Sequence, residues 1–480
     1  MKIELVGLDM NVMRSSFVVL GLVLLMIDVV PAEDSELGAS SNANQKAIGQ
    51  VRTGERHDAN AAWWGFNPMD STDAIQAAID SGAKRVTIPY RGQPWIVRPI
   101  KLTSDQEVYL EPGVVVLAKE GEFHGKGDKL FKAAKVKNLV FRGYGATLRM
   151  RKADYMNAPY VKAEWRMGLA LVDCTNVLVE GVRIERTGGD GIYVDGESKD
   201  VVIRNVICYD NYRQGISIIS VDNLLIENSV FANTWGTAPG SGIDIEPDKP
   251  DQRLVNIVVR NCVFENNEGH EVSIYPKSLT DQSEDISIRF ENCLMRKTLT
   301  NGVPDGVAQG IGRDDQIHGG AGISVSALRD KGPGGTIEFI NCTVENTGRH
   351  NLLMYDKSAL NIKVRFKNCH FRNPWLGVHR KFWMARVPIY IDLARPELTE
   401  HPGGIDFDDC HVYDALQRPV LMRSRSFEKY GVSDIHGILK VHGPGEPRYS
   451  VGLNARNIDL RLVKGFEAEG VEERNAAFME

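Results

Sequence analysis

The chain has 480 residues, of which 42% are hydrophobic and 25% are charged, and its net charge is -6. The composition is that of a globular protein, and the length allows either several ordinary domains or one long repeat structure. The charge provides no basic surface for nucleic acid and no polybasic patch for a membrane, so we expect neither as a partner.

The first 32 residues are predicted to be an export signal. Arg14 precedes an apolar run from Phe17 to Ile27, and small residues up to Ala32 offer a cleavage site. The apolar run is too short to cross a bilayer, although an uncleaved anchor or a buried helix is the alternative. We therefore exclude residues 1–32 from the fold, and expect a secreted or periplasmic protein without membrane contact after cleavage.

The next segments are predicted to be a leader and a helix. Residues 33–60 are rich in Ser, Asn, Ala, Glu and Asp, which is typical of a flexible leader. The segment DSTDAIQAAIDSG follows, with Asp70 or Ser71 as the N-cap, spaced apolar residues and a terminating Gly82, and it predicts a short helix. At the other end, residues 461–480 are predicted to be a tail or a short helix.

Between these ends, seven segments repeat one pattern: an apolar strand, an Asn or Asp, a small residue and a second apolar strand. The Asn column comprises Asn205, Asn228, Asn261, Asn292, Asn341, Asn368 and Asp409, and the column after it includes Cys262, Cys293, Cys342, Cys369 and Cys410. Asn tolerates the left-handed backbone of a turn, so the column predicts where the chain turns between strands.

A second short strand follows each of these segments, as in GIYVD from Gly191 and GIDIE from Gly242. Short strands at a near-constant spacing without helical periodicity are typical of a solenoid. Over about residues 70–455 the chain thus resembles right-handed parallel β-helix proteins of the pectate-lyase-like superfamily. The resemblance implies an all-β fold, a right-handed parallel β-helix over residues 61–460, with about ten coils and an N-terminal capping helix.

The chain has seven cysteines, which in an exported protein ordinarily suggest disulfides. Five of them stand in one column, where cysteine serves as a small buried hydrophobic residue, and the total is odd. We therefore predict reduced structural thiols, with a bridge or two between neighbouring coils as the alternative.

The second strands carry the candidate catalytic residues. Side chains alternate along a strand, so in SGIDIEP the two isoleucines point inward while Asp244 and Glu246 point outward. Asp195 stands in the outward column of Glu246, two coils away, which predicts a Cα separation of about 9.6 Å. Side chains that lean toward each other bring the carboxyl groups into the range of about 6.5–9.5 Å that suits an inverting glycosidase, with Asp244 as the competing partner. Ile219, between Asp195 and Glu246, favours a protonated acid.

Other interpretations of these acids stay open. A solvated acidic face is one alternative, and a Ca²⁺ site is another, although the pattern requires no cofactor and no metal ligands are assigned. Asp190 lies in the turn-like sequence GGDG, and we expect its carboxylate to bond to its own backbone.

Four insertions precede second strands and are expected along one edge of the acidic face: residues 151–167, 233–241, 299–321 and 374–387. They carry aromatic residues that suit the apolar faces of sugar rings, although each ring has the alternative of packing onto the solenoid. The candidate substrate-binding residues of the columns and loops are Tyr193, Arg213, Gln214, Ser217, Trp235, His270, Tyr275, His318 and Trp383.

The resemblance implies hydrolases, lyases and C5-epimerases without choosing between them. The Gly-His-Gly of polygalacturonase-like hydrolases is missing, and Asp195-Gly196-Glu197 only partly matches the Asp-Pro-His-Glu of alginate epimerases. The acidic columns favour a secreted glycoside hydrolase that acts on a polysaccharide or oligosaccharide. The alternatives are a lyase or C5-epimerase acting on a uronate-containing glycan, and a non-catalytic glycan-binding β-helix; the sugar and the oligomeric state stay open.

Overall fold

The structure is a computed structural model that describes residues 41–162, 164–297, 320–376, 386–393, 395, 399–400, 402–416, 418–424, 430–444, 446–451 and 455–465. Its helices are α1 (Ser41–Arg52), α2 (Thr72–Ile79) and α3 (Lys152–Tyr155), with a 3-10 helix at Ala61–Trp64. Its strands are β1 (Asp58–Asn60), β2 (Arg85–Ile88), β3 (Trp95–Val97), β4 (Ile100–Lys101), β5 (Gln106–Leu110), β6 (Val115–Ala118), β7 (Phe131–Ala134), β8 (Lys137–Arg142), β9 (Thr147–Arg149), β10 (Trp165–Arg166), β11 (Leu169–Val172), β12 (Thr175–Glu180), β13 (Arg183–Glu185), β14 (Gly188–Gly189), β15 (Ile192–Asp195), β16 (Lys199–Arg204), β17 (Ile207–Tyr209), β18 (Ile216–Ile218), β19 (Val221–Glu227), β20 (Val230–Ala232), β21 (Ile243–Ile245), β22 (Leu254–Arg260), β23 (Val263–Glu265), β24 (Val272–Ile274), β25 (Ile286–Glu291), β26 (Leu294–Arg296), β27 (Ile323–Leu328), β28 (Gly335–Ile340), β29 (Thr343–Glu345), β30 (Leu352–Lys357), β31 (Lys363–Lys367), β32 (His370–Arg372), β33 (Ile389–Leu393), β34 (Gly403–Tyr413), β35 (Val420–Ser424), β36 (Ser433–His442), β37 (Tyr449–Val451) and β38 (Arg456–Lys464).

These strands form two long parallel sheets. In the described part of the chain, one sheet has 12 strands, which run in the order β4-β7-β11-β15-β18-β21-β24-β27-β30-β33-β35-β37. The other has 24 strands, in which a row of long strands and a row of short strands join at β34. Each coil contributes a long strand, a short strand and a strand of the 12-stranded sheet, so the chain winds as the predicted parallel β-helix.

The turn between the long and short strands is the predicted Asn column. All seven of its residues have positive φ, for example 53° at Asn261 and 51° at Asn228. The Asn261 side-chain amide donates to the Asn228 amide oxygen over 3.2 Å, and Asn292 donates to Asn261 in the same way. The column therefore satisfies its own polar groups from coil to coil.

A single apolar core runs along the inside of the coils. Phenylalanine rings stack in it on successive coils, with ring centroids 5.0 Å apart between Phe290 and Phe339 and again between Phe339 and Phe366. All seven cysteines are buried and unpaired. The five thiols of the predicted column donate to main-chain oxygens, as Cys293 Sγ does to Val259 O over 3.4 Å, which agrees with the prediction of reduced structural thiols.

The structure corrects both predicted ends of the β-helix. Much of the expected flexible leader is ordered, because α1 buries Ala47, Ile48 and Val51 and β1 pairs in parallel with β2. The composition of this segment concealed an apolar helix face. At the C-terminal end, β38 pairs with β36 up to Lys464, so the strands continue beyond the predicted boundary at residue 460.

Helix α2 forms where the sequence predicts it. Its apolar residues Ile75, Ala78 and Ile79 join the core, and the Asp70 carboxylate accepts from Thr72 N over 3.0 Å at its N-terminus. Residues 1–32, the predicted export signal, lie outside the described residues. Within the ranges that the structure describes, no helix is long and apolar enough to cross a membrane.

Candidate active site

The outward side chains of the 12-stranded sheet form a polar row. On successive strands β15, β18, β21 and β24 the row comprises Tyr193, Ser217, Asp244 and Ser273. Ile243 and Ile245, on either side of Asp244, belong to the apolar core. The predicted alternation in SGIDIEP is therefore correct, and Asp244 faces away from the core.

The two acids of the neighbouring outward row lie on the same side of the solenoid. The register of β15, β18 and β21 places Asp195, Ile219 and Glu246 side by side on successive coils. Two strand spacings correspond to about 9.6 Å between the Cα atoms of Asp195 and Glu246. Ile219, which lies between them, is buried.

Asp244 is an outward carboxyl group that is nevertheless only 1% exposed. Its Oδ2 accepts from Gln214 Nε2 over 3.0 Å, and Gln214 Oε1 accepts from Ser241 N over 2.7 Å. Its Oδ1 has no hydrogen-bond partner among the described residues. Burial and the neighbouring Glu246 raise the pKa of Asp244, while Arg213 opposes this rise.

Glu246 is the accessible member of this acid pair, with 25% of its side chain exposed. Burial raises the pKa of Glu246, and the opposing charges of Arg213 and Lys277 limit the rise. Arg213 Nη2 lies 4.0 Å from Glu246 Oε2. Asp244 and Glu246 interact, so the pair titrates as a unit and retains a proton to higher pH than an ordinary carboxyl group.

Asp190 joins this cluster, contrary to the prediction of a simple turn residue. It is fully buried, and among the described residues neither of its carboxylate oxygens accepts a hydrogen bond. Arg213 Nη1 lies 3.7 Å from Asp190 Oδ1. Burial raises the pKa of Asp190 to about 6, and Arg213 opposes this effect.

The glycines on either side of Asp190 are the sequence feature that could have predicted its burial. A Cβ at Gly189 would lie 2.2 Å from Glu164 O, and one at Gly191 would lie 2.6 Å from Gly215 O. These glycines therefore permit close backbone packing that encloses Asp190, as well as any turn.

Asp195 sits in a different environment at the other end of the row. The Tyr193 hydroxyl donates to Asp195 Oδ2 over 2.9 Å, and Gln252 Nε2 donates to Asp195 Oδ1 over 3.1 Å. Burial and the Asp195 charge raise the pKa of Tyr193, so its phenol stays protonated as the donor. Two donors thus fix the orientation of this carboxylate.

The described insertions reach the edge of the acid cluster. In the insertion 151–167, Glu164 lies 3.2 Å from Arg213 Nε, and β10 pairs antiparallel with β14 next to Asp190. In the insertion 233–241, Ser241 N donates to Gln214. The larger parts of the other two insertions lie outside the described residues, as do the predicted substrate-binding residues His318 and Trp383.

The remaining predicted binding residues have partners within the protein. Trp235 Nε1 donates to Asp210 over 2.9 Å, and the buried Lys152 ammonium lies 4.0 Å from the Trp235 ring centroid. Tyr275 accepts from Arg395 over 2.9 Å. The structure thus gives the Trp235 indole an internal role that the sequence did not indicate.

His270 bonds to the main chain, whereas Ser217 lies within the polar row. His270 Nδ1 accepts from Ala321 N over 2.9 Å, and burial lowers the pKa of His270 to about 4, so its imidazole is neutral. Ser217 is fully buried between Tyr193 and Asp244 in the polar row. No group of three or more His, Cys, Asp or Glu side chains in the described ranges could hold a metal ion.

Two proteins of Bacillus subtilis resemble parts of the chain. YclG is 32% identical over 123 residues, which cover 22% of this chain and 21% of YclG. The SPbeta prophage-derived protein YorA is 24% identical over 194 residues, which cover 36% of this chain and 33% of YorA. The chain therefore spans only about a fifth to a third of these relatives.

Three solved structures share the fold. The family 28 exopolygalacturonase of Yersinia enterocolitica has a TM-score of 0.57 and 15% identity, with 85% of this chain and 79% of that chain covered. The A-module of mannuronan C-5 epimerase AlgE6 from Azotobacter vinelandii has a TM-score of 0.51 and 15% identity, with 85% and 99% covered. A hyperthermoactive exopolygalacturonase from Thermotoga maritima has a TM-score of 0.50 and 13% identity, with 85% and 99% covered.

A family model also matches the chain. The right-handed β-helix region matches residues 138–247 and 161–380, which together make up about half of the sequence and include the whole acid cluster. The parallel coils, the Asn column and this match agree. The chain belongs to the right-handed β-helix family.

Proposed function

We propose that the protein is a glycoside hydrolase that cleaves a polysaccharide or oligosaccharide outside the cytoplasm. One observation carries the proposal: Asp244 and Glu246 form a proton-retaining acid pair on the outward face, and Glu246 is partly exposed. A general acid must be protonated at the working pH and must reach the leaving group. The raised pKa of Glu246 and the 25% exposure of its side chain support this role.

In this proposal Glu246 donates its proton to the glycosidic oxygen as the bond to the anomeric carbon breaks. Asp195 accepts a proton from a water molecule, whose oxygen attacks the anomeric carbon from the opposite face. Two strand spacings separate the Cα atoms of Asp195 and Glu246 by about 9.6 Å. Side chains that lean toward each other would bring the two carboxyl groups to about 6.5–9.5 Å, the separation of inverting glycosidases, which supports an inverting outcome. Asp244 acts as a positioning residue, because it is buried beside Glu246 and the two carboxyl groups titrate as a coupled pair.

A lyase or C5-epimerase acting on a uronate is the second candidate, and Arg213 is the observation that favours it. Its guanidinium lies among the acids of the cluster, 3.7 Å from Asp190 and 4.0 Å from Glu246. Such a cation could neutralise a substrate carboxylate while a base removes the neighbouring proton. Ca²⁺ assistance belongs to this candidate, and loss of activity with EDTA would favour it.

Digestion of a panel of plant and algal glycans tests the proposal. A hydrolase releases new reducing ends without ultraviolet absorbance, whereas a lyase also produces an absorbing unsaturated product. An epimerase changes the uronate composition without cleavage, and a binding protein changes nothing. Absorbing products or unchanged glycans across the panel would contradict the hydrolase proposal.

The variant Glu246→Gln should lower kcat by about 10²–10⁴-fold, as expected for the loss of a general acid, while substrate binding persists. Glu284→Gln is a matched control, because Glu284 is a glutamate paired with Arg253, 2.9 Å away, in the turn before β25. Full activity in Glu246→Gln would refute the assignment. Equal losses in both variants would point to a general effect on the fold.

A further inference from the structure

The 24-stranded sheet carries an aliphatic stripe on its outer face. In register on β12, β16, β19 and β22, the stripe comprises Leu178, Val202, Leu225 and Val258. None of the four belongs to the core, and each is partly exposed. Four aliphatic side chains side by side on an outward face form a continuous apolar surface, which often marks an interface.

A ladder of alternating charges runs beside this stripe. On β8, β12, β16, β19, β22 and β25 it comprises Arg142, Glu180, Arg204, Glu227, Arg260 and Glu291. Neighbours in the ladder form ion pairs, such as Arg204 with Glu180 over 2.7 Å. The arginines extend outward, since the Arg204 side chain is 41% exposed and that of Glu180 only 5%.

When the ladder is written in reverse order, every position carries the opposite charge, so two copies of the ladder that run in opposite directions are complementary. A two-fold axis between β16 and β19, parallel to the strands, would place a second copy on this face with its solenoid axis antiparallel to that of the first. It would set Arg204 of each copy opposite Glu227 of the other. It would also set Glu180 opposite Arg260 and Arg142 opposite Glu291, and every pair would be attractive.

The same axis brings the two stripes together. Val202 of one copy would face Leu225 of the other, and Leu178 would face Val258. At the two ends of the same row, Val140 on β8 would face Arg289 on β25. The six strands span about 29 Å, and the seven residues from the turn before the stripe to the Asn column span about 23 Å. The footprint is therefore roughly 670 Å² on each copy, close to the lower range of stable interfaces.

We propose that the protein forms an antiparallel two-fold dimer through this stripe and ladder. A second copy is the occupant that fits, because the ladder has no net charge and its complement is its own reversed sequence. The acid cluster lies on the 12-stranded sheet, so the dimer leaves both candidate active sites open.

Sedimentation velocity of the full chain from about 1 to about 100 µM tests the dimer, which is the affinity range of modest interfaces. Arg204→Glu places two like-charge contacts in each dimer and should weaken association at least about 100-fold. Glu227→Arg should do the same. An equal mixture of the two variants restores both contacts and should form a mixed dimer, visible by native mass spectrometry.

Each outcome decides the proposal. A wild-type chain that is monomeric throughout overturns it, and so does a dimer that survives either charge change. A mixture of the two variants that stays monomeric also overturns it, because the antiparallel register requires the mixed pair. Circular dichroism verifies that the variants fold; if Arg204→Glu does not, Leu225→Lys disrupts the stripe with the ladder intact and should likewise give monomers.

Discussion

Replacing Asp190 with Asn tests the electrostatics of the acid cluster without a substrate. Asp190 is fully buried, and burial raises its pKa from 3.8 to about 6. The folded protein therefore holds a proton on Asp190 at a pH where the unfolded chain has released it. Stability is lost as the pH rises through this interval, which is the opposite of the usual behaviour of a salt-bridged carboxylate.

The size of the effect follows from the two pKa values. Between about pH 4.5 and about pH 7, a rise from 3.8 to about 6 removes about 2 kcal/mol from the free energy of unfolding. Asp190→Asn has no titrating group at position 190 and so lacks this contribution, while the contributions of Asp244 and Glu246 are present in both proteins. The stability of the variant relative to wild type should therefore improve by about 2 kcal/mol from the lower pH to the higher.

Urea unfolding of both proteins at the two pH values measures this change. Any fixed cost of the Asn amide is the same at both pH values and cancels. Asp190→Ala is the control, since it also lacks a titrating group and should show the same improvement from a different baseline. A relative stability that does not change with pH, or that falls, would refute the inference that Asp190 is protonated below about pH 6.

Three further changes probe other contacts. Gln214→Leu removes the donor to buried Asp244 and should cost about 1–3 kcal/mol of stability in urea unfolding, so an unchanged midpoint would show that the bond contributes little. Trp235→Ala should destabilise the fold by about 3 kcal/mol with little change in KM, and a raised KM at unchanged stability would return Trp235 to the substrate site. Cys342→Ser should lower the free energy of unfolding by about 1–3 kcal/mol, because it places a hydroxyl group in the core. A thiol reagent should label the wild-type chain only after unfolding, since all seven thiols are buried. Rapid labelling of the folded chain would contradict the packed thiol column.

The coils could be predicted because every coil places the same local requirements on its sequence. Each coil repeats the same local requirement, a left-handed turn at the position of Asn261 and a small buried residue at Cys262. The same alternation places Asp244 and Glu246 outward without any knowledge of distant contacts. Features set by local geometry and repeated many times were therefore visible in the sequence alone.

The environment of each acid could not be predicted in this way, because it depends on contacts between separate coils. Gln214 bonds to Asp244 from a segment 30 residues away, and Lys152 approaches Trp235 from a different insertion. Asp190 was predicted to be a turn residue, because its burial depends on contacts that its own segment does not show: the approach of Glu164 and the close packing of the neighbouring glycines. Sequence shows which residue types face outward but not which of them the insertions cover.

The charge balance around Arg213 bears on the choice between the two proposed reactions. Its guanidinium already faces Glu164 over 3.2 Å, Asp190 over 3.7 Å and Glu246 over 4.0 Å. A uronate would bring a fourth carboxylate to one cation, and Arg213 would have to weaken its ion pair with the fully buried Asp190, which would leave that carboxyl group without its cation. A neutral sugar leaves the ion pairs of Arg213 intact. The acids of the cluster then outnumber its cation, which keeps a proton on the cluster for donation to the leaving group. The existing ion pairs of Arg213 therefore count against its use as the partner of a uronate, and this supports the hydrolase proposal over the second candidate.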